Sequence, residues 1–161
     1  MRYAYFDRLT GLRNRHSFED KLTQISENPP AELCIVMADI NGLKTTNDTI
    51  GHKAGDELIT GAAECLSTAF EEIETIYRIS GDEFCIIMNE PIEKAQLCLS
   101  RLDKLTAIWH GSYIDSLSVS TGVASIKDHD DVESVFAQAD NNMYEHKRNY
   151  YKSLGIDRIY H

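Results

Sequence analysis

Two adjacent acids, Asp82 and Glu83, lie within Ile76 to Met88, where apolar β-prone segments flank Ser80-Gly81-Asp82-Glu83. That pattern predicts a hairpin lifting both carboxylates to the tip of a sheet. A third acid, Asp39, ends the apolar run Cys34-Ile35-Val36-Met37-Ala38. If this run is a strand beside the hairpin, a spacing of about 4.8 Å between neighbouring strands brings the carboxylates together. At roughly 4 Å and an effective dielectric near 20, each pair of like charges costs on the order of 4 kcal/mol, so the cluster calls for a cation. The chemistry it suits is metal-dependent phosphate chemistry, because Mg²⁺ takes oxygen ligands and keeps positions for phosphate oxygens. The competing reading is a solvated turn whose acids serve solubility.

The elements that must position these acids follow from periodicity. Asp7 to Arg15 is turn-rich, and a short helix through Phe18, Leu22 and Ile25 ends at Pro29-Pro30. Glu32 to Asp39 is apolar without alternation, as expected of a central strand covered on both faces. A polar loop and short helix lead to Gly51. A longer helix then starts near Gly55, with Leu58, Ile59, Ala62, Leu66, Ala69 and Phe70 on one face. After the hairpin, Pro91 opens a helix striped by Ala95, Leu99, Leu102 and Leu105. Ser116 to Ser125 predicts a strand burying Leu117, Val119, Thr121 and Val123, and Asp131 to Arg148 a helix through Val132, Val135, Phe136, Ala139 and Met143. Ile156 to Tyr160 is a candidate for closing the sheet. The order is a split βαβ plan, predicting an α+β fold with a ferredoxin-like or palm-like sheet, mixed and mostly antiparallel, flanked by helices.

The 161 residues, 42% of them hydrophobic, suit one domain over 1–161. A net charge of -10 argues against a nucleic-acid interface, whose affinity comes from neutralised phosphates, and is compatible with a metal-bound nucleotide. Cys34, Cys65, Cys85 and Cys98 lack metal-ligand spacing and read as buried fillers in a reducing, cytoplasmic compartment. No apolar run approaches the roughly 20 residues that cross a bilayer, so this segment is expected to make no direct membrane contact. It is compatible with the C-terminal output part of a longer, even membrane-anchored, protein.

Ser80-Gly81-Asp82-Glu83-Phe84 resembles the motif that names the GGDEF domain family, enzymes that condense two GTP molecules into cyclic di-GMP. DRLTGLRNRHSF, DINGLKTTNDTIGHKAGDELI, SVSTGVAS and ADNNMYEHKR resemble the same family in its usual order and spacing. The resemblance implies that Mg²⁺, or Mn²⁺ in its place, is held by Asp39, the Ile40 carbonyl, Asp82 and Glu83. It implies catalytic roles for Asp82, Glu83 and Lys44, with Asp82 as base for the ribose 3′-hydroxyl and Lys44 as a positive charge beside the phosphates. Gly42 and Leu43 would offer backbone N–H groups to the phosphates, helped by a helix start. Asn47 and Asp56 would read guanine, against a competing reading as caps and turn formers. Lys147 would reach the triphosphate from the last helix. His52 reads as a structural hydrogen-bonder, and Met143 and Tyr144 as core.

Three departures from the family stand out. Asn41 replaces a third acid that many members carry, Ser80 replaces the first motif glycine, and Arg148-Asn149-Tyr150-Tyr151 lies where a Gly-Arg pair often follows. Glu71-Glu72-Ile73-Glu74 also occupies the position of the family's inhibitory Arg-x-x-Asp, so no product feedback is expected there. The implied partners are GTP, a second protomer in a transient homodimer, and an upstream regulatory domain. Two rival readings are a catalytically weak GTP-binding sensor and an RNA binder; the latter lacks basic charge and exposed sheet aromatics.

Overall fold

The structure is a computed structural model and describes residues 4–73 and 75–156. The element order is α1 (Arg15–Glu27), β1 (Leu33–Ile40), α2 (Leu43–Thr49), α3 (His52–Ala69), β2 (Ile76–Arg78), β3 (Glu83–Asn89), α4 (Ile92–Ile108), β4 (Val119–Ser125) and α5 (Val132–Ser153). The strands form one sheet in the order β2-β3-β1-β4. Each pair of neighbouring strands is antiparallel, and a parallel pairing occurs as the isolated bridge between Arg13 and Tyr77. This is the split βαβ plan expected from the sequence. The closing strand expected at Ile156 to Tyr160 lies, beyond Ile156, outside the described residues.

All eight residues of β1 are buried because the strand is central and both its faces are covered. Cys34, Val36, Ala38 and Ile40 point into a core with Leu58, Ala62 and Leu66 of α3 and Ala95, Cys98 and Leu102 of α4. Leu33, Ile35 and Met37 point the other way, into a core with Phe18 and Ile25 of α1 and Val135, Ala139 and Met143 of α5. Strand alternation therefore puts Asp39 on the face that α5 covers. The four cysteines are buried and free, as expected.

The burial of β4 departs from expectation. Ser120, Gly122 and Ala124 are its most buried residues, whereas Val119, Thr121 and Val123 are half-buried. The reason is the closeness of α5. A Cβ on Gly122 would lie 2.1 Å from the Met143 nitrogen and 2.3 Å from the Ala139 oxygen, so only small residues fit beneath that helix. Tyr144, expected in the core, is half exposed at 50% because it falls on the outer face of α5, while Met143 is buried.

Candidate active site

The hairpin tip forms where β2 and β3 separate. The Ile79 N–H donates to the Glu83 carbonyl at 2.9 Å, and the Ile40 N–H donates to the Asp82 carbonyl at 2.9 Å, which pins the tip to the end of β1. In that register Asp39 is the direct partner of Glu83 on one side and of Ser120 on the other. Directly opposed residues have Cβ atoms about 4.5 to 5.5 Å apart, far inside the range needed for shared chemistry.

Asp39 is 1% exposed, and its Oδ1 lies 2.9 Å from Nζ of Lys147, also 1% exposed. The same ammonium donates to the Ile40 carbonyl at 3.4 Å. A cation therefore already rests on the two oxygens that the resemblance assigns to a metal. Burial first, and the Asp82 carboxyl second, push Asp39 up to about 8 against the opposing pull of Lys147. Asp39, Asp82 and the Ile40 carbonyl make a hard-oxygen set that fits a divalent ion such as Mg²⁺. Glu83 is turned aside: its Oε1 accepts from the Ser80 hydroxyl at 2.8 Å. Among the described residues, accordingly, no three His, Cys, Asp or Glu side chains are gathered as a metal site. The structure brings Asp39 and Asp82 together and leaves Glu83 beside them on the strand.

The raised Asp39 carries a pH dependence. An unfolded aspartate titrates near 3.8. Between roughly pH 4 and 8 the folded chain then holds a proton that the unfolded chain has lost, so stability falls as pH rises through that window. Urea unfolding in chelator should show a lower midpoint near pH 8 than near pH 5, with the slope reduced in Asp39→Asn. A midpoint that climbs over this range would contradict the assignment.

Asn41 is engaged on the β4 side of this centre, with the cross-strand partner of Asp39. Its amide donates to the Ser118 hydroxyl at 2.9 Å and accepts from the Ser120 hydroxyl at 2.9 Å, so it ties β1 to the β4 approach. Gly42, at φ 74, turns the chain into α2, and its N–H donates to the Tyr151 hydroxyl at 2.9 Å. The helix that follows, α2, is short, at seven residues. Leu43 is buried, and Lys44 is exposed nearby. Burial raises the Tyr151 phenol against the lowering effect of the Gly42 N–H, and the charges of Tyr150, Asp39 and Asp82 add to the rise.

Asn47 and Asp56 are brought together across the α2–α3 turn. Asn47 packs over Gly55, where an added Cβ would lie 1.7 Å from its Oδ1. Asp56 follows directly and is exposed. His52 is exposed in the first turn of α3. Gly55→Ala should displace the flexible Asn47 amide at little cost in stability and, if Asn47 reads guanine as the resemblance implies, weaken guanosine nucleotide binding by about tenfold or more, the worth of a lost polar contact. Calorimetric titration against wild type checks this, and unchanged affinity would separate Asn47 from base recognition.

Three features escaped the sequence reading. Arg78 Nη1 bridges both oxygens of Asp7 at 3.1 Å while its Nη2 donates to the Gly81 carbonyl at 3.0 Å, so the N-terminal loop braces the hairpin tip. Arg15 adds a bond to the Ile79 carbonyl at 3.1 Å. The Ser80 bond to Glu83 and the Tyr151 bond to Gly42 are the others. Tyr151 could have been found from spacing, since it lies one helical turn past Lys147.

A family model described as "Diguanylate cyclase, GGDEF domain" matches residues 4–152. The diguanylate cyclase DgcS of Shewanella oneidensis is 30% identical over 155 residues, covering 92% of this chain and 52% of that protein. The diguanylate cyclase VdcA of Vibrio cholerae is 32% identical over 164 residues, covering 97% of this chain and 46% of that protein. The crystal structure of the GGDEF domain of DgcB from Caulobacter crescentus, in complex with c-di-GMP, matches with a TM-score of 0.78 at 27% identity, covering 96% of this chain and 94% of that one. The chain spans about half the length of the curated relatives it matches.

Proposed function

Since this chain belongs to the GGDEF domain family, we propose that it condenses two molecules of GTP into cyclic di-GMP across the face between two protomers, releasing two pyrophosphates. The observation that carries the reading is that one cation rests on Asp39 and the Ile40 carbonyl, with the Asp82 carboxyl beside Asp39, at the end of the strand that leads into the Gly42 turn. A divalent ion such as Mg²⁺ bound by these oxygens, with Glu83 at its edge, would neutralise triphosphate charge.

The remaining work belongs to side chains. Asp82 takes the proton of the ribose 3′-hydroxyl, whose oxygen forms the new bond to the α-phosphorus of the GTP on the facing protomer as the bond to pyrophosphate breaks. Lys44 and Lys147 offset the negative charge of the phosphates, and the Gly42 and Leu43 amides donate to their oxygens. Asn47 and Asp56 hold guanine by its edge, which disfavours adenine because their polar groups would be left unpaired. Catalysis is then chiefly positioning. Because each protomer supplies one reacting nucleotide, the rate should rise faster than linearly with protein concentration.

The test is incubation with GTP and Mg²⁺, with products resolved by chromatography, beside Asp82→Ala. Cyclic di-GMP and pyrophosphate from wild type alone are expected. Nucleotide binding with no product at high protein concentration would instead favour a GTP-binding sensor, a second reading supported by the Ser80 bond that holds Glu83 aside.

Product feedback is expected to be absent. In the segment where the family's inhibitory site would fall, Glu72 is ion-paired with Lys94 and lies 3.8 Å from Arg101, so its neighbouring cations are already engaged. Titrating cyclic di-GMP into the assay should leave the initial rate unchanged at micromolar levels; inhibition there would refute this.

A further inference from the structure

Two side chains of α5, one turn apart, reach across the sheet to the end of β1. Lys147 bonds to Asp39 and to the Ile40 carbonyl, and Tyr151 accepts the Gly42 N–H at 2.9 Å. Both are nearly inaccessible, with Tyr151 at 4% exposure. A phenol is a neutral oxygen acceptor, and on this amide it takes the place that a phosphate oxygen would need. Gly42 also has open space where a Cβ would stand.

We propose that Tyr151 is an affinity-setting residue of the nucleotide site, its hydroxyl competing with the ligand's phosphate for the Gly42 N–H. The inference rests on the reading of this site as one for a guanosine triphosphate. A phosphate oxygen is the stronger acceptor because it is charged, so it displaces the phenol, but binding forfeits the bond already made. The apparent affinity is lowered by the share of molecules in which Tyr151 holds the amide. Lys147, on the same face of the same helix, links this exchange to the cation position: movement of the last turns of α5 would open both.

The experiment compares wild type with Tyr151→Phe, which keeps the ring that fills the space and removes only the hydroxyl. Calorimetry with Mg²⁺ is carried out against two probes, inorganic pyrophosphate and a GTP analogue with a methylene between the α and β phosphorus atoms. About fivefold tighter binding of both by the variant is expected, the worth of one ordinary hydrogen bond. In ligand-free protein the Gly42 amide proton should exchange more slowly with solvent in wild type than in the variant. Binding of the GTP analogue that is equal or weaker in the variant overturns the inference and leaves the diguanylate cyclase reading intact. Tighter pyrophosphate binding with no preference for guanosine nucleotide supports the inference and removes that reading. If neither protein binds either probe, both fall.

Discussion

Lys147→Met should lower the unfolding free energy by about 3 kcal/mol above about pH 8, where Asp39 is ionised, the low end of the range for breaking a buried charge pair. Lys147 and Asp39 are each 1% exposed and 2.9 Å apart, and the Asp82 carboxyl is near enough to raise Asp39. Removing the ammonium leaves the buried Asp39 carboxyl without its cation, with the Asp82 carboxyl beside it. Asp39 can partly relieve this by taking up a proton, which keeps the cost at that low end and makes it shrink as pH falls. Methionine fills the channel left by the lysine stem, so the effect reports charge rather than a cavity. Adding Mg²⁺ should then raise the melting temperature of Lys147→Met more than that of wild type, because in the variant no internal cation competes for Asp39 and the Ile40 carbonyl. Thermal unfolding with chelator and with Mg²⁺ measures both effects. Equal Mg²⁺ responses would show that Lys147 does not stand on the metal position.

Gly122→Ala should cost about 3 kcal/mol and displace the whole of α5 relative to the sheet. The clash is with backbone: an added Cβ meets the Met143 nitrogen at 2.1 Å and the Ala139 oxygen at 2.3 Å, and no rotamer change relieves it. The helix must move away from β4, straining the bond from the Asn142 amide to the Val123 carbonyl at 3.0 Å and the seat of Lys147 on Asp39. Urea unfolding should show the loss in stability, and nucleotide affinity should change with it. A stability within about 0.5 kcal/mol of wild type, the range of an ordinary surface change, would mean that the helix is less closely seated than the structure places it.

These two substitutions mark the division between what could be read and what could not. The uninterrupted apolar run before Asp39 announced a central strand, and strand alternation put Asp39 on one definite face of it. The Ser80 to Glu83 turn announced the hairpin, and the DINGLK and GHKAGD stretches placed Gly42, Lys44, Asn47 and Asp56 within one turn region. What misled was β4. Its larger residues Val119 and Val123 do pack against a core, but only half-buried, and the most buried positions went to Ser120, Gly122 and Ala124, because the other face lies close under α5 and admits only small residues. Glu83 was expected among the metal ligands, and what the sequence did not show is that one of its carboxylate oxygens accepts from the Ser80 hydroxyl.

The sequence by itself determined the split βαβ order, the strand that carries Asp39, the hairpin that carries Asp82, and membership of the GGDEF family. Only the tertiary structure decided that α5 lies over the Asp39 face, close enough for Lys147 to act as an internal cation and for Tyr151 to hold the Gly42 amide. The physical reason is that periodicity along a chain tells which residues share a face of an element, while the facing partner and the distance to it depend on how large the side chains between two elements are.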